Sequence, residues 1–274
     1  MNQIKIKDFS LKHTMESGQF FLYEKKDDDF YYIIQNDNIF KIKQENNTLF
    51  YKGTKNINKE FITHFFSLDE DLQEQTKTFE DKILTTALEK YWGLRHIKQD
   101  LWQCMIGFVC SSRSSIPKIQ NNLKLISQTF GTKIEFDGKT FHTFPTYNQI
   151  NNLEKLNQCK TGYRTRFIYS ICHKLQKNDN LIQIKQENYE NSKKLLLEFL
   201  GIGEKVADCI CLFALNHKES FPIDTWIHQI IKQLYLNKEE TTIKEINKFI
   251  QTQFKKNKGL AQQYLFHYAR HNLK

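Results

Sequence analysis

Lys205 occupies a position where a lysine is electrostatically awkward. It lies in the first turn of an apolar helical segment that starts near Glu204, directly after Leu200-Gly201-Ile202-Gly203. Two glycines one residue apart permit positive φ and a close approach of the backbone to another surface. The first N–H groups of a helix have no intrahelical acceptor, so this turn presents bare donors at a positive dipole end, where phosphate is the natural occupant. A further cation is unfavourable there, and an amine without its proton is what a nucleophile needs. About twenty residues on, Phe221-Pro222-Ile223-Asp224-Thr225-Trp226 puts a carboxylate at a helix start. Asp224 reads as an N-cap. Placed across a cleft from Lys205, it can also accept protons and stabilise positive charge developing on a substrate, and the two roles are compatible. Taken alone, Gly-x-Gly equally describes an ordinary corner between two helices.

The elements that must hold these two side chains fall into two regions. Up to about residue 55, short aromatic and β-branched runs alternate with polar separators: Phe20–Tyr23, Phe30–Ile34, Ile39–Ile42 and Thr48–Tyr51, with turns over Lys25–Asp29 and Gln35–Asn38. This pattern predicts an antiparallel meander. From about Asn56 helical spacing takes over, predicting helices at Lys59–Phe66, Asp69–Tyr91, Leu101–Ser111, Ile116–Phe130, Gly162–Leu175, Ser192–Phe199, Glu204–Leu215, Thr225–Leu234 and Ile243–Lys255, and one more from about Leu260. Asp137-Gly138 predicts a small hairpin inside the helical region. The expected fold class is α+β: an N-terminal twisted antiparallel sheet with flanking helices over residues 1–95, packed on a mainly helical body over 96–274 that contains the hairpin 195–215.

Composition narrows the partners. The chain has 274 residues, 39% of them hydrophobic, including 22 Phe, enough for a packed core. A formal charge of +9, from 40 basic and 31 acidic residues, favours a polyanionic partner through counterion release. The six cysteines (Cys104, Cys110, Cys159, Cys172, Cys209, Cys211) lack metal-knuckle spacing and read as buried hydrophobes of a reducing compartment. No apolar run approaches membrane-spanning length, and the charged start lacks a signal-peptide pattern. These features lead to the expectation of an intracellular protein that needs no cofactor, metal ion or membrane, and nothing demands more than a monomer.

Gly201-x-Gly203-x-Lys205-Val206-Ala207-Asp208-Cys209 followed by Pro222-x-Asp224 resembles the helix–hairpin–helix DNA glycosylase superfamily, and within it the 8-oxoguanine DNA glycosylase/lyase branch. The resemblance spans most of the chain. Glu16-Ser17-Gly18-Gln19-Phe20-Phe21 is similar to that branch's Ser-Gly-Gln-x-Phe segment. Phe108-Val109-Cys110-Ser111-Ser112 and Gly162-Tyr163-Arg164-Thr165-Arg166 are similar to its DNA-contacting elements, and Ala261-Gln262 and Leu265-Phe266 to its base-pocket spacing.

The resemblance implies excision of 8-oxoguanine from duplex DNA after base flipping, a Schiff base through Lys205 assisted by Asp224, and β-elimination. It implies a base pocket of Gly18, Gln19, Cys209, Gln262 and Phe266, in which the Gly18 carbonyl accepts the N7 proton that only the oxidised base carries. It implies DNA contacts through Gly201, Gly203, Val206, Tyr163 and Arg164, the last two reading the base left unpaired. There are departures. Arg113-Ser114-Ser115, with Lys118 nearby, stands where animal members have consecutive asparagines, which implies looser recognition of the opposite base. Trp226 replaces a histidine often found two residues after the aspartate, Leu200 replaces a proline, and the iron–sulfur cysteine run of a sister branch is absent. The alternatives are a glycosylase for another damaged purine, which commonly uses water rather than lysine, and a non-catalytic DNA-gripping module, which has no use for Lys205 with Asp224.

Overall fold

The structure is a computed structural model that describes residues 1–26 and 29–273. Five strands form one antiparallel sheet: β1 (Asn2–Lys5), β2 (Tyr23–Lys25), β3 (Tyr31–Gln35), β4 (Asn38–Glu45) and β5 (Thr48–Gly53), in the order β1-β5-β4-β3-β2. The register pairs Ile33 with Phe40, Ile42 with Tyr51 and Ile4 with Leu49. Tyr31, Ile33, Phe40 and Ile42 face the main core, whereas Phe30, Tyr32 and Ile39 face the other way, against Phe136 and Phe141. Both faces of β3 are therefore covered, which explains an unbroken apolar run where alternation would mark a half-exposed strand.

The second cover is the expected hairpin, β6 (Lys133–Phe136) and β7 (Lys139–His142), turned by Asp137 at φ 55° and Gly138 at φ 72°. Phe141 stacks on Tyr32 with ring centres 5.6 Å apart, and the Asp137 carboxylate accepts hydrogen bonds from Lys41 at 2.6 Å and Lys52 at 3.2 Å.

The helices are α1 (Leu11–Met15), α2 (Lys59–Phe65), α3 (Leu72–Thr76), α4 (Lys82–Lys90), α5 (Leu101–Ser111), α6 (Ile116–Phe130), α7 (Leu153–Gln158), α8 (Arg164–Lys177), α9 (Leu181–Gln186), α10 (Tyr189–Leu197), α11 (Glu204–Phe213), α12 (Thr225–Ile230), α13 (Ile243–Gln253) and α14 (Lys258–Asn272). Side-chain oxygens of Asn58, Asp71, Asp81, Asp100, Asn188 and Thr242 cap α2, α3, α4, α5, α10 and α13 by accepting first-turn N–H groups.

Four expectations change. The single helix over Asp69–Tyr91 is two, because Asp71 and Asp81 each start one. Phe20–Leu22 is buried but precedes the strand, which begins only at Tyr23. The helix expected over Thr225–Leu234 changes to a π-turn at Ile231–Tyr235. β1, α1, α7 and α9 are additional elements. The turn over Lys25–Asp29 includes residues 27 and 28, which lie outside the described residues.

Packing does not break at residue 95. One core runs from Ile4 of the sheet through α5 to Phe213 of α11. A second joins Leu72, Leu84 and Leu88 to Ile227, Ile230, Ile246, Ile250 and Tyr264. Between the sheet and the helical body, residues 94–100 lack regular structure and are held by side chains. The buried Arg95 guanidinium donates to the carbonyls of Ser67 and Glu70, and Gln99 donates to the Gln19 carbonyl at 2.7 Å.

Glu70 anchors the same region. Burial opposes its charge, but hydrogen bonds from Lys218, Lys98 and Gln75 hold its carboxyl at about 2. A depressed carboxyl contributes stability above its unfolded value that is lost as pH falls toward the folded value. Glu70→Gln is expected to lose about 1–3 kcal/mol at neutral pH, and the gap should close between pH 5 and about 2. Urea titrations across that range check this; a gap independent of pH would remove the carboxylate from the account.

Candidate active site

The corner before α11 forms where α10 ends. Gly201 has φ +89°, and a Cβ there would stand 2.4 Å from Phe167 Cγ, so the turn seats against α8 only because residue 201 has no side chain. Gly203 caps α11 without a side chain, and the first internal bond runs from the Ala207 N–H to the Gly203 carbonyl at 2.9 Å. The N–H groups of Glu204, Lys205 and Val206 therefore point out of the helix end without an internal acceptor. Lys193 on α10 bridges Glu204 at 2.8 Å and Asp208 at 2.9 Å, which fixes the angle between the two helices.

Lys205 leaves this helix end half-buried. Its amine donates to Ser111 Oγ at 3.2 Å and lies 5.4 Å from the centre of the Phe108 ring. Ser111 is the last residue of α5. The lysine thus sits at the positive end of its own helix but at the negative end of α5, which offsets part of the unfavourable dipole. Phe108 is itself fixed by stacking on Phe213, with centres 5.5 Å apart.

Asp224 caps α12, its carboxylate accepting the Ile227 N–H at 2.9 Å. Burial raises its carboxyl above the ordinary range, and the N–H bonds and the Lys205 charge pull against that without cancelling it. Lys205 and Asp224 line one cavity of about 910 Å³. Gly18, Cys209, Gln262 and Phe266 line the same cavity, and so do Arg113, Trp226 and Arg270. Burial pushes the Cys209 thiol up to about 12, so it acts as a packing surface rather than a thiolate. Gln262 donates to the Pro222 carbonyl at 3.1 Å and keeps a buried Oε1 without a partner. Gly18 has φ +77°; a Cβ on it would meet Ile116 Cδ1 at 2.9 Å, Arg270 Nη1 at 3.1 Å and Phe266 Cε1 at 3.2 Å. Gly18→Ala is expected to destabilise by about 1–3 kcal/mol through backbone strain and crowding. An unchanged urea midpoint would mean that these neighbours yield freely.

Residues 2–105 match the family model described as the N-terminal domain of 8-oxoguanine DNA glycosylase. The "Probable N-glycosylase/DNA lyase" of Methanothermobacter thermautotrophicus is 27% identical over 234 residues, 77% of this chain and 75% of the relative. The Clostridium acetobutylicum 8-oxoguanine glycosylase/lyase, solved with DNA containing cytosine opposite 8-oxoG, is 28% identical with a TM-score of 0.90, covering 99% of this chain and 98% of that one. MBOgg1, solved with a low-affinity DNA ligand, is 31% identical with a TM-score of 0.93, covering 99% of this chain and 96% of that one. The chain belongs to the 8-oxoguanine DNA glycosylase family.

Some residues that match the 8-oxoguanine DNA glycosylase pattern do not line the cavity. Gln19 is fully buried behind it: its amide donates to the carbonyls of Thr14 and Arg95 and to Ser17 Oγ, and its oxygen accepts the Ile97 N–H at 2.7 Å. Both ends of its amide are engaged within the protein, so Gln19 holds the 94–100 segment instead of meeting a base. Arg164 is 3% exposed, and its fork is engaged by the carbonyls of Ser112, Arg113 and Thr161. It braces the turn after α5 rather than presenting free donors. Tyr163 is 47% exposed, its hydroxyl donating to the Ser112 carbonyl at 3.1 Å. The Val206 side chain is buried in the core, leaving only its N–H for a phosphate. Arg113, with φ 49°, and Lys118 are exposed. Arg270 was not anticipated, although its spacing from Gln262 and Phe266, four residues at each step, puts it on their helix face.

Proposed function

We propose that this chain is a bifunctional DNA glycosylase and AP lyase that excises 8-oxoguanine from duplex DNA. The observation that carries this reading is the Lys205 amine beside Asp224 in a cavity large enough for a purine and its sugar. The target base cannot react inside the stack and is flipped into the cavity at a cost of a few kcal/mol. There it lies between Phe266 and Cys209, with its N7 proton on the Gly18 carbonyl and its pairing edge toward Gln262. An undamaged guanine would place a lone pair of N7 against that carbonyl.

The Lys205 amine then bonds to C1′ as the C1′–N9 bond breaks, and the bonding pair leaves on the base. Asp224 offsets positive charge on the sugar at this stage. Loss of the amine proton and ring opening give the Schiff base, and removal of a C2′ proton expels the 3′ phosphate. The outward N–H groups of Glu204, Lys205 and Val206 hold a backbone phosphate. Arg113, Lys118 and Tyr163 supply contacts on the DNA side of the cavity. A protein acting this way is DNA-associated.

The test is a duplex carrying one 8-oxoguanine opposite cytosine, with an undamaged duplex as control, assayed for free base, strand cleavage and borohydride trapping. Release with a trapped adduct supports the proposal. Release without an adduct points to attack by water, and no release overturns the substrate assignment.

A further inference from the structure

Arg270 takes no part in the scheme above, yet it lies on the wall of the same cavity. It stands on α14, one turn beyond Phe266, with its guanidinium carbon 5.4 Å from that ring's centre. One of its terminal nitrogens is 3.1 Å from where a Gly18 Cβ would be. Among the described residues its only hydrogen bond is a long one, 3.4 Å, from Nη1 to the Glu16 carbonyl, and no carboxylate is within ion-pair distance. The ionisable groups that face it include Tyr23, Asp224 and His267. A guanidinium carries five donors in a rigid fork. Half-buried with most of them unused by the protein, it offers those donors to a ligand that supplies acceptors.

The ligand chemistry follows from what surrounds it. On guanine, N7 and O6 are both acceptors, and an arginine alone prefers that edge. Oxidation at C8 converts N7 into a donor flanked by two carbonyl oxygens, O6 and O8. A main-chain oxygen at Gly18 with an arginine beside it presents an acceptor next to donors, which complements the oxidised edge and places like against like on the undamaged one. We propose that Arg270 is a base-contacting residue: its guanidinium donates to a carbonyl oxygen beside N7 of the flipped oxidised purine and offsets the negative charge that the purine gains as it leaves. This rests on the functional reading above. The pair of electrons released at N9 is delocalised onto O6 and O8, so the contact strengthens as the C1′–N9 bond breaks.

The test compares the unaltered chain, Arg270→Lys and Arg270→Met in single-turnover release of 8-oxoguanine and in cleavage at a preformed abasic site, which has no base to contact. Arg270→Met is expected to slow base release about 10- to 100-fold, and Arg270→Lys to recover part of it. Cleavage at the abasic site should change by less than a factor of about three. Equal losses on both substrates would overturn the inference, since they would mean that Arg270 only props Phe266 and the helix. Undiminished base release by Arg270→Met would overturn it too. Failure of the unaltered chain to release 8-oxoguanine would sink the functional reading, and this inference with it.

Discussion

Lys205→Gln protein should bind a duplex containing 8-oxoguanine and do nothing further to it. The amide is one bond shorter than the lysine side chain but stays polar and uncharged beside Ser111 Oγ, to which the amine now donates at 3.2 Å. It has no nucleophilic lone pair, so the trapped adduct should vanish and base release should fall by roughly a thousandfold or more. The backbone donors at the start of α11 are untouched by the change, so affinity for the duplex should stay within a few fold. Gel-shift titration and borohydride trapping on the same samples separate the two. Parallel loss of affinity and activity would favour a role for Lys205 in gripping phosphate and would revive the non-catalytic module.

Asp224→Asn should separate activity from stability. Asparagine caps helices about as well as aspartate, so accepting the Ile227 N–H survives the change and stability should shift by no more than about 0.5 kcal/mol. The direction is also predictable. Burial raises the Asp224 carboxyl, so the folded state prefers it protonated. Such a group contributes stability below its unfolded value that is lost as pH rises through its folded value. At neutral pH the neutral amide therefore removes an unfavourable buried charge. Base release, by contrast, loses its opposing charge and should fall about 10²- to 10³-fold. In the unaltered protein, release should decline on acidification at a pH above the ordinary carboxylate value, and this acid limb should be absent from Asp224→Asn. A variant that unfolds readily, or one that keeps its acid limb, would remove Asp224 from the chemistry.

The two central residues of the candidate site were more legible in the sequence than their surroundings. Lys205 and Asp224 stand out because their local rules, a cation at a helix start and a cap after proline, can be checked within a few residues. Leu101–Ser111 and Ile116–Phe130 came out with correct bounds, because Asp100 and Pro117 mark their starts. β1 did not, since a four-residue edge strand acquires its partner, β5, only through a contact more than forty residues away. Gln19 and Arg164 fit a motif, but their donors are claimed by Arg95 and by Ser112, neighbours that only the fold supplies. Arg270 had a signal in its four-residue spacing. Without the Gly18 backbone beside it, that spacing did not distinguish a pocket wall from a solvated helix end.

The placement of Gln262, Phe266 and Arg270 at every fourth position of α14 separates two inheritable properties. The groups proposed to make and break bonds reside on α11 and at the start of α12, whereas three of those proposed to meet the base, Gln262, Phe266 and Arg270, share one stripe of a different helix. A change along that stripe is expected to alter how the base is held while leaving the Lys205 amine on α11 in place. Successive substitutions on α14 thus form a route by which one ancestral scaffold could be retuned toward other oxidised purines in small, individually viable steps.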